Sequence, residues 1–301
     1  MSPEPPEFEE LSVAVPGGDL AVLRWPATVP DAPTVVAVHG ITANALAWSQ
    51  VARRLAGRAT LVAPDLRGRG ASRSVLAPYG IGRHADDLAE LIRALDLGRV
   101  RLAGHSMGAY VAALTAVRHP ALVERLLLVD GAVSFPLPAG VDADDVLAAV
   151  LGPALARLSM TFPDQEAYLA FWRGLPAFAG EWIADYDAYA LRDLTGTEGE
   201  LRSACVPEAI REDGRQVLLD ADVTGAIHRL PCPAELLWAE RGLQDELQGL
   251  YDPVRLKNAA LDPATVVQSP VPGTNHYTIL MGRQGAAVVA GRLLAGEPVR
   301  R

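Results

Sequence analysis

Five residues, Gly104-His105-Ser106-Met107-Gly108, leave this chain few folds to choose from. They follow Val100-Arg101-Leu102-Ala103, an apolar run with strand character, and lead into Ala109-Tyr110-Val111-Ala112-Ala113-Leu114, which has helical composition. A strand that turns at once into a helix, with Ser at the apex and Gly on either side, is the nucleophile elbow. The turn is tight, so Gly104 and Gly108 keep side chains out of the strand–helix crossing while the Ser106 hydroxyl stands over the strand end. The helix that starts there points its N-terminus at the site and favours developing negative charge. G-x-S-x-G alone is common, but the flanking strand and helix make it specific. Ser106 is the candidate nucleophile.

The remaining chain supplies the sheet such an elbow needs. Glu9 to Val15 and Leu20 to Trp25 alternate as strands, with Pro16-Gly17-Gly18-Asp19 as a hairpin turn. Thr34 to Val38, Thr60 to Pro64 and Arg125 to Val129 are continuous apolar runs, as expected of strands buried on both faces of a parallel sheet. Helical stretches at Asn44 to Leu55, Ile81 to Leu95 and Ala109 to Val117 separate them. Ala234 to Trp238 and Ala264 to Val267 complete eight strands, with helices near Asp252 to Ala260 and Tyr277 to Leu294. Strands alternating with helices imply right-handed crossovers and a mostly parallel sheet.

That alternation stops after Asp130. From 134 to 227 there are amphipathic stretches, Val146 to Leu158, Gln165 to Arg173 and Glu181 to Leu191, with no buried strand between them. The expectation is an α/β core of residues 8–133 and 228–301, a helical cap of residues 134–227, and a disordered, acidic and Pro-rich arm at 1–7. Open α/β sheets bind ligands at their carboxyl edge, where such a cap would sit. The cap carries most of the aromatic residues, and Trp172, Phe178 and Trp182 are candidates to line a substrate pocket. The competing expectation for each is ordinary packing between cap helices.

Composition excludes several classes. A net charge of −9 argues against a nucleic-acid or anionic-membrane surface. No stretch approaches the roughly 18 apolar residues of a membrane span. The N-terminus lacks the basic start and apolar core of a signal peptide, which points to the cytoplasm. Cys205 and Cys232 make neither a disulfide framework nor a zinc spacing.

A serine hydroxyl needs a base within hydrogen-bond reach, and the base needs an orienting acid. Of six histidines, His39 and His105 lie at strand ends and read as structural, while His84, His119 and His228 read as surface or packing residues. His276 lies in Pro272-Gly273-Thr274-Asn275-His276-Tyr277, between the last strand and the last helix, a loop that returns to the carboxyl edge beside the elbow.

Taken in order, Val38-His39-Gly40-Ile41, Asp65-Leu66-Arg67-Gly68-Arg69-Gly70-Ala71-Ser72, the Ser106 elbow and Gly273-Thr274-Asn275-His276 resemble the motifs of capped α/β-hydrolase fold enzymes. The G-x-G within 65–72 lacks a third glycine and reads as a structural turn, not a dinucleotide site. The resemblance implies a Ser106–acid–His276 triad and an oxyanion hole made by the backbone N–H groups of Met107 and Ile41. It offers two places for the acid. After the seventh strand, Gly242 falls where the acid is usual and Asp245 comes three residues late; at the end of the sixth strand stands Asp130. The expectation is Asp130, with Asp245 as the alternative.

The implied activity is hydrolysis of a carboxylic ester or lactone through an acyl-enzyme, without cofactor or metal, on an apolar or aromatic small molecule. The nearest alternative uses the same triad on a carbon–carbon bond or in peracid formation. Dehalogenase or epoxide hydrolase chemistry is disfavoured, since those relatives carry Asp at the elbow. From another class, a hydrolase-fold binding protein without catalysis competes. Oligomeric state is not legible.

Overall fold

The computed structural model describes residues 7–135 and 140–295, so all but Glu7 of the expected N-terminal arm lies outside the described residues. Strands β1 (Glu9–Val15) and β2 (Gly18–Trp25) form an antiparallel hairpin. Val15 pairs with Gly18, so the connection is Pro16-Gly17 alone, shorter than the four-residue turn read from the sequence. Gly17 at φ +96° follows Pro16, the residue order such a tight turn requires. The buried strands are β3 (Thr34–Val38), β4 (Thr60–Pro64), β5 (Val100–His105) and β6 (Val123–Val129). After β7 (Leu194–Thr195) and β8 (Arg202–Ser203), a small separate hairpin, come β9 (Ala234–Ala239) and β10 (Val266–Val271).

The main sheet has eight strands in the order β1-β2-β4-β3-β5-β6-β9-β10. Only β1–β2 and β2–β4 are antiparallel pairs. This is the α/β-hydrolase fold expected from the sequence. Helices α1 (Ser49–Leu55), α2 (Ile81–Ala94) and α3 (Met107–Arg118) follow β3, β4 and β5, with α2 packed on α3. The β3 side chains from Val35 to Val38 are fully buried, which is why that strand reads as an unbroken apolar run.

Between β6 and β9 lie α4 (Ala143–Leu151), α5 (Pro153–Ala156), α6 (Gln165–Arg173), α7 (Ala184–Arg192), α8 (Pro207–Leu219) and α9 (Ala221–Thr224). The stretch 146–158, read as one helix, is broken at Gly152-Pro153. Pro153 has no N–H to continue the ladder and Gly152 adopts φ +44°. Helix α8 was not legible in the sequence. Its buried stripe includes Asp213 and Gly214, where an apolar periodicity would need large side chains. Pro207 at its first turn, followed by Glu208, was the available signal.

After β9 come α10 (Pro253–Asn258), α11 (Thr278–Met281) and α12 (Arg283–Leu294), the last two separated at Gly282. Strand β10 begins later than Ala264. The Asp262 carboxylate accepts the Ala264 N–H and Thr265 hydroxyl, holding those residues in a turn. Pro270 is accommodated because β10 is an edge strand.

Candidate active site

Ser106 sits at φ +56°, ψ −124°, between the last residue of β5 and the first of α3. A side chain on Gly104 would come within 2.1 Å of the Gly108 carbonyl oxygen, and one on Gly108 within 2.3 Å of that of Val38. The crossing therefore closes only with glycine at both positions. The Ser106 N–H donates to the Val129 carbonyl at 2.9 Å, tying the apex to the end of β6. Met107 opens α3, so its N–H has no acceptor within the helix.

His276 is brought to this edge by the loop after β10. The Asn275 side-chain oxygen accepts the N–H groups of Tyr277 and Thr278 at 3.0 and 2.8 Å, which turns the chain sharply at the histidine. His105 Nε2–H donates to the His276 carbonyl at 2.8 Å, and burial pushes the His105 imidazole well below its usual range, so it stays neutral. The His276 Nδ1–H donates to Asp130 Oδ2 at 2.7 Å. Asp130 is fully buried at φ +47°, and its other oxygen accepts the Ala239 N–H at 3.0 Å. Its carboxylate thus spans the ends of β6 and β9.

Asp245 takes no part in this contact. Partial burial alone would raise its carboxyl, but hydrogen bonds from Arg241 at 2.8 Å and Asn275 at 3.1 Å outweigh that and hold it low. Of the two acids, the structure brings Asp130 to His276 and pairs Asp245 with an arginine.

The Ile41 N–H belongs to the same planar peptide as the Gly40 carbonyl, and in a trans peptide the two point in opposite directions. His39 Nδ1–H holds that carbonyl at 2.8 Å, while its Nε2 accepts the Leu66 N–H at 2.9 Å. Burial lowers the His39 pKa to about 3, so both bonds are those of a neutral ring. Ile41, Ser106 and His276 all line one small cavity at the strand ends.

A family model described as the alpha/beta hydrolase family matches residues 35–291. The chain belongs to the alpha/beta hydrolase family. It is 30% identical over 249 residues to a 2-(acetamidomethylene)succinate hydrolase of Mesorhizobium japonicum, covering 81% of this chain and 82% of that one. The crystal structure of an E-2-(acetamidomethylene)succinate hydrolase superposes with a TM-score of 0.76 at 24% identity, over 96% of this chain and 99% of the other. A 2-hydroxymuconate semialdehyde hydrolase of a Pseudomonas species is 36% identical over 111 residues, 35% of this chain and 39% of that one. An uncharacterized protein of Mycobacterium tuberculosis is 41% identical over 97 residues, which span 32% of this chain and only 28% of that longer relative.

In this alpha/beta hydrolase a second cavity, of about 320 Å³, opens beside Ser106. It is lined by Ile41, Met107 and Asp130, by Val146, Leu147, Val150 and Leu151 of α4, and by Val217 and Leu218 of α8. Among the described residues Arg255 is the one cation on its wall. Trp172, Phe178 and Trp182 do not line it, which corrects the sequence expectation. Phe178 stacks edge-on with both tryptophans, at 5.9 and 5.8 Å, and Trp172 meets Tyr189 at 5.5 Å. These rings pack between α6, α7 and the His276 loop, with Trp172 and Phe178 buried and Trp182 half-buried. The wall of the cavity is instead largely aliphatic.

The remaining histidines divide. His84 is fully buried, with Nε2 on the Asp213 carboxylate at 2.9 Å; His119 meets Asp86 at 3.1 Å; His228 is exposed. Arg69, which the sequence shows only as part of the 65–72 turn, and Asp213, Arg157 and Asp193, which no sequence signal singles out, are four charged residues at most 2% exposed. Among the described residues no cluster of three His, Cys, Asp or Glu could hold a metal ion, and no helix is long and apolar enough to cross a membrane.

Proposed function

We propose that this alpha/beta hydrolase opens a carboxylic ester or lactone through an acyl-enzyme on Ser106. The observation that carries the reading is the 2.7 Å contact of His276 with Asp130, beside a cavity that His276 shares with Ser106. In this reading His276 Nε2 takes the hydroxyl proton as Ser106 Oγ attacks the carbonyl carbon. Negative charge gathers on the carbonyl oxygen, and the N–H groups of Ile41 and Met107 receive it. Collapse of the tetrahedral intermediate expels the alcohol, which takes the proton from His276. A water then gives a proton to His276 and adds to the acyl group, and collapse of that intermediate releases the acid as Ser106 Oγ takes the proton back from His276. Asp130 holds the imidazole in the tautomer this needs and steadies its charged form.

The largely aliphatic wall of the 320 Å³ cavity, to which Tyr110, Phe135 and Tyr251 also contribute, supports an apolar or aromatic acyl group. Residues 134–227 act as the cap over a core of 8–133 and 228–301, and the reaction proceeds in the cytoplasm on a small molecule, with no cofactor or metal. A second reading, hydrolysis of a carbon–carbon bond by the same groups, is favoured by the likeness to the 2-hydroxymuconate semialdehyde hydrolase. Turnover of a panel of p-nitrophenyl esters, lactones and vinylogous diketones separates the two. Ester cleavage that vanishes in Ser106→Ala supports the first reading, and cleavage of the diketones alone replaces it with the second.

A further inference from the structure

The loop that carries Ile41 is bonded to the segment between β6 and β9 in three places. Arg69, fully buried, donates from Nε to the Ile41 carbonyl at 2.9 Å and pairs with Asp213 of α8. Arg157, also fully buried, donates from Nη2 to the Thr42 carbonyl at 3.2 Å and pairs with Asp193, just past α7. Asn44 donates from its side chain to the Tyr189 carbonyl at 2.9 Å. Two successive carbonyls are thus each held by a different buried guanidinium, and each guanidinium is neutralised by a carboxylate of the inserted segment. A buried ion pair seldom stabilises a fold more than well-packed apolar side chains would, so two of them on one loop call for a reason other than stability.

We propose that Arg69–Asp213 and Arg157–Asp193 are positioning pairs, through which the inserted segment holds the Ile41 loop in its oxyanion-binding geometry. The proposal rests on Ile41 being an oxyanion donor, as read above. His39 sets the direction of the Ile41 N–H by gripping the Gly40 carbonyl, and the two arginines fix the peptides that follow. Asp213 directly precedes Gly214, and Val217 and Leu218 of the same helix line the cavity. Seating of α8 over the substrate and alignment of the oxyanion donor are therefore one mechanical event. Loss of a pair acts on the chemical step more than on substrate binding.

The test compares wild type with Arg69→Met/Asp213→Leu, which removes both charges at once together with the bonds Asp213 accepts from His84 and Gly80, and with Arg69→Lys, which keeps the charge opposite Asp213 and those two bonds but loses the planar fork. The probes are p-nitrophenyl acetate and diethyl p-nitrophenyl phosphate, both too small to depend on the far wall of the cavity. In both variants kcat on the acetate and the rate of Ser106 phosphorylation should fall together by about 10- to 100-fold, with KM changed less than about threefold and a cooperative melting transition retained. A folded double variant with both rates within about twofold of wild type overturns the proposal, since the pair is then only structural. Should the double variant not fold, the same two rates in Arg69→Lys decide. A wild type that is phosphorylated on Ser106 but leaves the acetate intact overturns the ester reading alone, and phosphorylation then carries the comparison. A wild type inert to both probes overturns the hydrolase reading and this proposal with it.

Discussion

His276 Nδ1 and Asp130 Oδ2 stand 2.7 Å apart across 146 residues of sequence, joining the loop after the last strand to the end of β6. An amide at the acid keeps the shape but favours the wrong imidazole tautomer, a change that costs about 10⁴ in turnover in a serine protease. Asp130→Asn should therefore be folded and about 10⁴-fold slower on its best ester. Asp245→Asn should keep most activity, because its partners are Arg241 and Asn275. Steady-state kinetics of the two variants checks both halves, and the reverse ranking would move the acid to Asp245.

Ser106 holds a backbone conformation, φ +56° with ψ −124°, that side chains rarely adopt. Such strain costs on the order of 1–3 kcal/mol, partly offset in a glycine variant by about 0.5–1 kcal/mol of extra chain entropy in the unfolded state. Ser106→Gly should melt slightly above wild type, while Ser106→Ala stays close to it. Both should lose fluorophosphonate labelling. Label that persists in Ser106→Ala, located by peptide mapping, would reject Ser106 as the nucleophile.

Trp172 and Phe178 are buried among other rings, so truncating either to Ala should cost about 3–5 kcal/mol of stability without changing which ester is preferred. Leu147 is different. Its side chain lines the cavity and rests in the space left by Gly214, with Cδ1 2.7 Å from where a Cβ there would lie. Leu147→Ala should shift the optimum of a p-nitrophenyl ester series to longer acyl chains, and Gly214→Ala should shift it to shorter ones by pushing Leu147 into the cavity. Unchanged chain-length profiles in both variants would refute this view of the wall.

Burial holds His39 at about 3 and His105 well below 6.5, so the folded protein binds fewer protons than the unfolded chain between those values. Stability should accordingly be complete above about pH 6.5 and decline as pH falls below it, by up to about 1.4 kcal/mol per unit for each histidine that is still neutral in the folded protein, down to about pH 3 for His39. Urea unfolding midpoints across the mildly acidic range measure the slope. His39→Gln should flatten it, and an unchanged slope would remove His39 as a source.

The sequence by itself determined the fold and the candidate site positions that are local. Buried parallel strands show as unbroken apolar runs because both faces are covered, and the elbow shows because its glycines and serine are consecutive in the chain. His276 was legible for a similar reason, as the histidine of a loop that topology returns to the carboxyl edge. Only the tertiary structure shows which carboxylate meets His276, Asp130 and not Asp245, since both loops end at the same edge and a hydrogen bond depends on which carboxylate lies within reach. It also decided that Trp172, Phe178 and Trp182 pack on one another, because composition places aromatics in a segment without saying which way their rings face. Helix α8 and the pairs Arg69–Asp213 and Arg157–Asp193 were hidden for one physical reason: a charge on a buried face contradicts hydrophobic periodicity unless its partner is known. Each partner is remote in sequence, Asp213 on another helix from the Arg69 turn, and becomes visible only when the chain is folded.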